Sequence, residues 1–359
     1  MYFYTLVQAY YAKNLGDDMF VQELVRRYPR ERFLLLQPCK RLGNLVYEKN
    51  VRALQYPLLF FYIALVKIIR RKDSVINAVC KRTKAVVRIG GSIFIEKKNW
   101  KETITKTLNK NTYILGANFG PYTSEEYLRY AVQQIKLTKD CCFRDRYSYD
   151  LLSKELSNVR YAPDILFSYP YLPKEKGGNS IGISVIDFTK RDSLRSEKNN
   201  YINGIIEICR YFIEKKRNIV LYGFCQTEGD ENAIDEIIEI LGPTSRIKKC
   251  IYSGDIERYL QEINECEKIY ATRFHAMIIG WIMKKDVVPI IYSNKQINVI
   301  KDLDFNGVQW DILHNQAFPL GLFDTNNGRL SENTIHMLQI EAVEHFKKLD
   351  EFYSKNRAV

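Results

Sequence analysis

Short apolar runs alternate with stretches of helical periodicity along almost the whole chain. In the first half Tyr2 to Val7 predicts a strand and Asp17 to Tyr28 a helix, then Arg32 to Leu36 a strand and Val51 to Arg71 a helix. Ala85 to Ile89, Thr112 to Leu115 and Cys141 to Phe143 predict strands, followed respectively by helices over Trp100 to Leu108, Ser124 to Thr138 and Tyr147 to Leu156. A polar break over 173–179 has the composition of a linker, and a second series follows it. There, strands are predicted over Ser180 to Ile186, Asn218 to Phe224, Lys249 to Tyr252, Lys268 to Ala271 and Val287 to Tyr292. Helices are predicted over Tyr201 to Lys215, Glu228 to Leu241, Ile256 to Cys266 and the apolar run after His275, and Ser331 to Tyr353 reads as one long helix with a Ser cap. Such alternation implies parallel strands with crossover helices. The expectation is an α/β protein of two domains, residues 1–174 and 175–359, with a cleft between them and the C-terminal helix available to pack back on the first domain.

A length of 359 residues suits two such cores, and 46% hydrophobic with 27% charged residues excludes a disordered or fibrous chain. A formal net charge of +12 favours anionic partners. No Lys/Arg-dense block stands out, so nucleic-acid binding is not expected. The eight cysteines lack CxxC spacing and several fall inside apolar elements, which suits small core residues in a reducing cytoplasm and no zinc site. The N-terminal run lacks the basic region of a signal peptide and reads as the first strand. Residues 57–72 combine an apolar run too short to span a bilayer with Lys67, Arg70, Arg71 and Lys72. This pattern favours a buried helix with a cationic end, the alternative being a helix lying at an anionic membrane surface.

Ionisable residues recur just beyond the predicted strands. Arg273 and His275 stand two apart where a strand turns into a helix, a junction whose N–H groups and dipole favour anions. Asn14, Gly16, Asp17 and Asp18 occupy the first strand-to-helix turn, where either Asp serves as a cap or as a proton acceptor at a ligand crevice. Gly90, Gly91 and Ser92 permit close approach of backbone to a ligand, or a tight turn. Gly116, Asn118 and Gly120-Pro121 form another glycine-rich exit; Arg144-Asp145 reads as an ion pair, a cap or a site; and Asp164 and Lys295 each follow an apolar run.

Taken in order, Asn14-Leu15-Gly16-Asp17-Asp18, Gly90-Gly91-Ser92, Gly116 with Gly120-Pro121, Arg144-Asp145 with Ser148, Pro163-Asp164, Arg273-Phe274-His275-Ala276 and Lys295 resemble the polysaccharide pyruvyl transferase family. The chain departs from it at Lys13, where many members carry glycine. The resemblance implies two Rossmann-like domains in a GT-B-like arrangement, and transfer of the enolpyruvyl group of phosphoenolpyruvate to a sugar diol as a cyclic ketal. It further implies donor binding by Arg144, Arg273 and His275, to which Lys295 adds charge and Gly90, Gly91 and Ser92 add backbone donors. Asn14, Asn118 and Asp164 are then expected to line the cleft, His275 to act as acid and Asp17 or Asp18 as base, with no metal or cofactor. A galactose-type residue on a polyprenyl-diphosphate-linked precursor, met at the inner face of the membrane, is the acceptor that the resemblance suggests. Two other readings remain at this point: a glycosyltransferase using a nucleotide sugar, and a non-catalytic membrane-associated scaffold.

Overall fold

The computed structural model describes residues 3–36, 41–53, 80–98, 100, 108–170, 178–314, 318–323 and 326–355. Segment 57–72, most of the helix expected over Trp100 to Leu108 and the larger part of the polar break lie outside the described residues. Packing divides the chain into two compact units. The first comprises Met1–Tyr11, Asp17–Ser168 and Leu338–Val359, the second Ala12–Gly16 and Tyr169–Met337.

The first unit is built on seven strands: β1 (Tyr4–Gln8), β2 (Arg32–Leu35), β3 (Val51–Ala53), β4 (Ala85–Ile89), β5 (Thr112–Ala117), β6 (Asp140–Phe143) and β7 (Val159–Tyr161). They run parallel in the order β3-β2-β1-β4-β5-β6-β7, so the direction of winding reverses between β1 and β4. All six residues of β5 are buried, as expected of a central parallel strand covered on both faces. Helices α1 (Leu15–Arg27), α2 (Glu125–Lys136) and α3 (Arg146–Ser153) belong to this series. On one face, Tyr127 and Ile135 of α2 pack with Ile114, Phe119 and Phe143.

The chain's last segment completes this unit. What reads in sequence as one helix is three pieces: α9 (Glu332–Ala342), a 3-10 turn (Val343–Phe346) and α10 (Lys347–Lys355). The tighter turn buries His345 and Phe346 together. The Tyr353 hydroxyl meets Thr5 Oγ1 at 2.7 Å, and Arg27 Nη2 donates to Asp350 at 2.8 Å. The helix expected from Val51 begins instead as strand β3, because Val51–Ala53 pair with β2.

The second unit carries six parallel strands: β8 (Ser180–Val185), β9 (Ile219–Gly223), β10 (Ile247–Ile251), β11 (Cys266–Ala271), β12 (Asp286–Ile291) and β13 (Trp310–Asp311). Their order is β10-β9-β8-β11-β12-β13, with the reversal between β8 and β11. Helices α4 (Lys198–Glu214), α5 (Asp230–Leu241), α6 (Ile256–Asn264), α7 (Phe274–Ile282) and α8 (Asn294–Asp302) alternate with them, and α9 follows. Ile205, Cys209 and Phe212 of α4 and Ile234 of α5 close over Ile183, Leu221 and Trp310. All nine residues of α7 but His275 are buried, which matches the apolar composition of the rest. The α/β class with two Rossmann-like sheets is therefore what the alternation predicted. Of the cysteines, Cys80, Cys141, Cys142, Cys209, Cys225 and Cys266 are buried core residues and Cys250 is half-buried, while Cys39 lies outside the described residues.

Candidate functional site

In the second unit the exit of β11 is pinned before its side chains are placed. The Arg273 N–H donates to Ser184 Oγ at 3.0 Å, Thr272 Oγ1 meets the Tyr201 hydroxyl at 3.1 Å, and buried Gln296 of α8 donates to the Thr272 carbonyl at 3.0 Å. Arg273 is the N-cap residue of α7, so His275 falls in the first turn, half-buried, as the apolar run predicted.

Gly16 lies against the His275 ring. A Cβ placed on Gly16 would stand 1.7 Å from His275 Nδ1 and 2.1 Å from its Cγ, so the imidazole occupies the space that a side chain at position 16 would fill. The loop bearing Gly16 is tied to this unit by Leu15 N–H donating to the Phe224 carbonyl at 3.1 Å and by a bridge between Asn14 and Cys225. Lys13, the position where glycine is common in the resembling family, has φ of 50°. That left-handed backbone costs a lysine roughly 1 kcal/mol and a glycine almost nothing.

The Arg273 side chain is engaged by carboxylates. Its Nε donates to Asp230 Oδ2 at 3.0 Å, its Nη2 to Asp230 Oδ1, and its Nη1 to Glu228. Burial opposes the charge, yet Asp230 and Glu228 hold the guanidinium pKa well above its ordinary value. Asp230 also accepts the Phe224 and Cys225 N–H groups at 2.9 Å each, fixing the exit of β9. Glu228 accepts from Arg191 Nη2 at 2.8 Å as well. Burial pushes the Glu228 carboxyl up, but Arg273, Arg191 and Lys295 outweigh it and the net shift is downward. Lys295, near the start of α8, places its ammonium 5.5 Å from the Tyr292 ring centre and 5.7 Å from that of Phe274.

The first unit gathers a separate group. Arg144, at the exit of β6 and 2% exposed, donates from Nη1 to Asp164 Oδ2 at 3.0 Å and from Nη2 to Asn118 Oδ1 at 2.8 Å. A Cβ on Gly91 would stand 2.2 Å from Arg144 Nη2, so this glycine admits the guanidinium. Burial pushes the Asp164 carboxyl above its ordinary value against the pull of Arg144. Asp145 caps α3, accepting the Ser148 N–H at 2.9 Å. Asp17 is half-buried, with one carboxylate oxygen 3.4 Å from where a Cβ of Gly90 would sit; Asp18 is 1% exposed and Ser92 is exposed.

The residues singled out from sequence thus fall into two sets. Gly90, Gly91, Asn118, Arg144 and Asp164, with Asp17, meet in the first unit; Asn14, Arg273, His275 and Lys295 belong to the second. Arg191, Glu228, Asp230 and Tyr292 were not singled out. Glu228-Gly229-Asp230 repeats, after β9, the signature of acids at a strand exit that drew attention to Asp17 and Asp18, whereas Arg191 sits in a connection with no pattern.

A family model described as polysaccharide pyruvyl transferase matches residues 14–294, from Asn14 to one residue short of Lys295. No curated protein matches the chain in sequence. Among solved structures, HepE from Anabaena, determined with UDP and glucose, shares 11% identity over 99% of this chain and 100% of its own, with a TM-score of 0.55. A glycosyltransferase from Rickettsia africae shares 12% over 98% of both chains at 0.56. The UDP-GlcNAc 2-epimerase of Methanocaldococcus jannaschii, determined with UDP-GlcNAc and UDP, shares 10% over 95% of this chain and 99% of its own at 0.55. At such identities the likeness is one of fold.

Proposed function

The chain belongs to the polysaccharide pyruvyl transferase family, and on that premise we propose that it transfers the enolpyruvyl group of phosphoenolpyruvate to a saccharide as a cyclic pyruvate ketal. The family match carries the reading, because the matched span contains every proposed acid, base and clamp residue except Lys295.

Phosphoenolpyruvate presents a phosphate and a carboxylate on a small frame, so its binding needs cationic donors from more than one element. Lys295 supplies charge in the second unit, while Arg144, 2% exposed with its Nη atoms on Asp164 and Asn118, serves to hold the Gly90-Gly91 turn of the first. Arg273, held by Asp230 and Glu228, serves this reaction best by fixing the turn that carries His275, a positioning role rather than a free clamp. His275 protonates the methylene carbon, leaving a cationic centre at C2 that one sugar hydroxyl attacks. Phosphate departs with a proton and the second hydroxyl closes the ketal. Two protons leave the hydroxyls; one ends on the methyl carbon and the other on phosphate. Asp17 suits the base better than Asp18, since it is half-buried beside Gly90 whereas Asp18 is enclosed.

The acceptor we propose is a galactose-type residue of a surface-polysaccharide precursor, polyprenyl-linked and met at the cytoplasmic face of the membrane. Among the described residues no helix is long and apolar enough to cross a membrane. The test is to incubate the protein with phosphoenolpyruvate and candidate saccharides, reading phosphate release and the mass of the ketal product. His275→Ala is expected to abolish product while leaving the circular dichroism spectrum unchanged. Turnover at the wild-type rate would remove His275 from the mechanism, and nucleotide release from a nucleotide sugar would replace the reading altogether.

A further inference from the structure

Four successive strand exits of the second unit bring charge to one place. Arg191 follows β8, Glu228 and Asp230 follow β9, Arg273 and His275 follow β11, and Tyr292 and Lys295 follow β12. These are neighbouring strands in the order β9-β8-β11-β12, and β8/β11 is where the winding reverses, the position at which open parallel sheets bind ligands.

We propose that Arg191 and Lys295, both held against the Tyr292 ring, form an anion subsite that takes the carboxylate or phosphate of a small phosphorylated acid. The ligand's identity as phosphoenolpyruvate rests on the function proposed above; the subsite itself does not. The Arg191 guanidinium carbon lies 5.1 Å and the Lys295 ammonium 5.5 Å from the centre of that ring. Arg191 spends Nη2 on Glu228 and its side chain is 30% exposed, which leaves the rest of its planar set of N–H donors for a forked contact with an oxyanion. Lys295 makes no ion pair among the described residues. The Tyr292 phenol registers these cations: burial pushes its pKa up, but Lys295, Arg191 and Arg273 bring it below the ordinary value. Tyr292 supplies a rigid platform that holds both cations in place while its ring face is electrostatically attractive to them.

Calorimetric titration of the full chain with phosphoenolpyruvate, and separately with inorganic phosphate, tests this. Arg191→Ala is expected to weaken phosphoenolpyruvate binding by about tenfold or more, with Arg191→Lys intermediate. Glu228→Gln removes the carboxylate that competes for Arg191, so binding is expected to hold or tighten; were Arg191 only a structural partner of Glu228, this variant would lose affinity as Arg191→Ala does. Wild-type affinity in Arg191→Ala, or equal losses in both variants, overturns the subsite. If the wild-type chain binds phosphate but not phosphoenolpyruvate, and Arg191→Ala loses the phosphate, the subsite stands and the donor reading falls. Binding of neither titrant refutes both.

Discussion

At the scale of single residues, the second unit's candidate site depends on one missing side chain and one buried ion pair. Gly16 lies in the first turn of α1, where alanine would ordinarily favour the helix by about 1 kcal/mol. Its cost arises elsewhere, since the added methyl and the His275 ring cannot share one volume. Gly16→Ala is therefore expected to lower kcat by about a hundredfold with KM little changed, and to lower the melting temperature as the ring is forced aside. A variant as active as wild type would show that His275 need not stand where it does. Arg273→Ala leaves Asp230 buried and uncompensated, for which a loss of roughly 3 to 5 kcal/mol is expected in urea denaturation. A near-neutral effect would contradict the pair. The sequence singled out positions 16, 273 and 275 but not how they meet, because a glycine's use as empty space depends on which ring is brought against it.

At the scale of elements, most helices and strands were legible from period and caps, and the exceptions have local causes. Strand β7 is three residues and β13 two, too short for alternation to register. Helix α8 reads Asn-Lys-Gln-Ile-Asn-Val-Ile-Lys-Asp, so polar that it passes for a loop, yet it buries Gln296, Val299 and Ile300. The predicted cap at Ser331 is present, with the Thr334 N–H donating to Ser331 Oγ at 3.0 Å. At α3, Asp145 accepts the Ser148 N–H and hydroxyl, each at 2.9 Å, and Ser148 Oγ accepts the Phe119 N–H at 2.7 Å. This chain ties the β6 exit, and with it Arg144, to the turn after β5. Removing the cap in Asp145→Ala is expected to cost about 1 to 2 kcal/mol and to weaken donor binding through a displaced Arg144. Chemical denaturation and donor titration of the same variant measure both, and a stability loss with unchanged binding would confine Asp145 to capping.

At the scale of the molecule, the first unit holds two buried groups that respond to pH in opposite senses. His345, 0% exposed, donates from Nε2 to the Pro163 carbonyl at 2.8 Å, and burial, aided by Arg160 and Arg144, depresses its pKa from 6.5 to about 3. Since the unfolded chain takes up that proton first, stability falls as pH drops below 6.5. Glu23 is pushed by burial from 4.5 to about 7 against the pull of Arg27 and Arg26, so its contribution is lost as pH rises from 4.5. Between pH 4.5 and 6.5 the two slopes cancel. Relative to the wild type, urea midpoints there are expected to fall with acid in Glu23→Gln and to fall with base in His345→Gln, each by at most about 1.4 kcal/mol per pH unit. Parallel curves for the two variants would refute the assignment. Neither group was singled out from sequence, because nothing in a residue's neighbours along the chain reports which remote residues, here Ser168 for Glu23 and Pro163 for His345, will be brought against it. The fold class, the order of the elements and the ordered strand-exit motifs were determined by sequence alone, since hydrophobic period and turn chemistry act between near neighbours. The ion pair that occupies Arg273, the room Gly16 leaves for His275 and the gathering of Arg191 with Lys295 at Tyr292 were decided only in tertiary structure, since each joins residues carried on different strands and depends on the order in which those strands lie side by side.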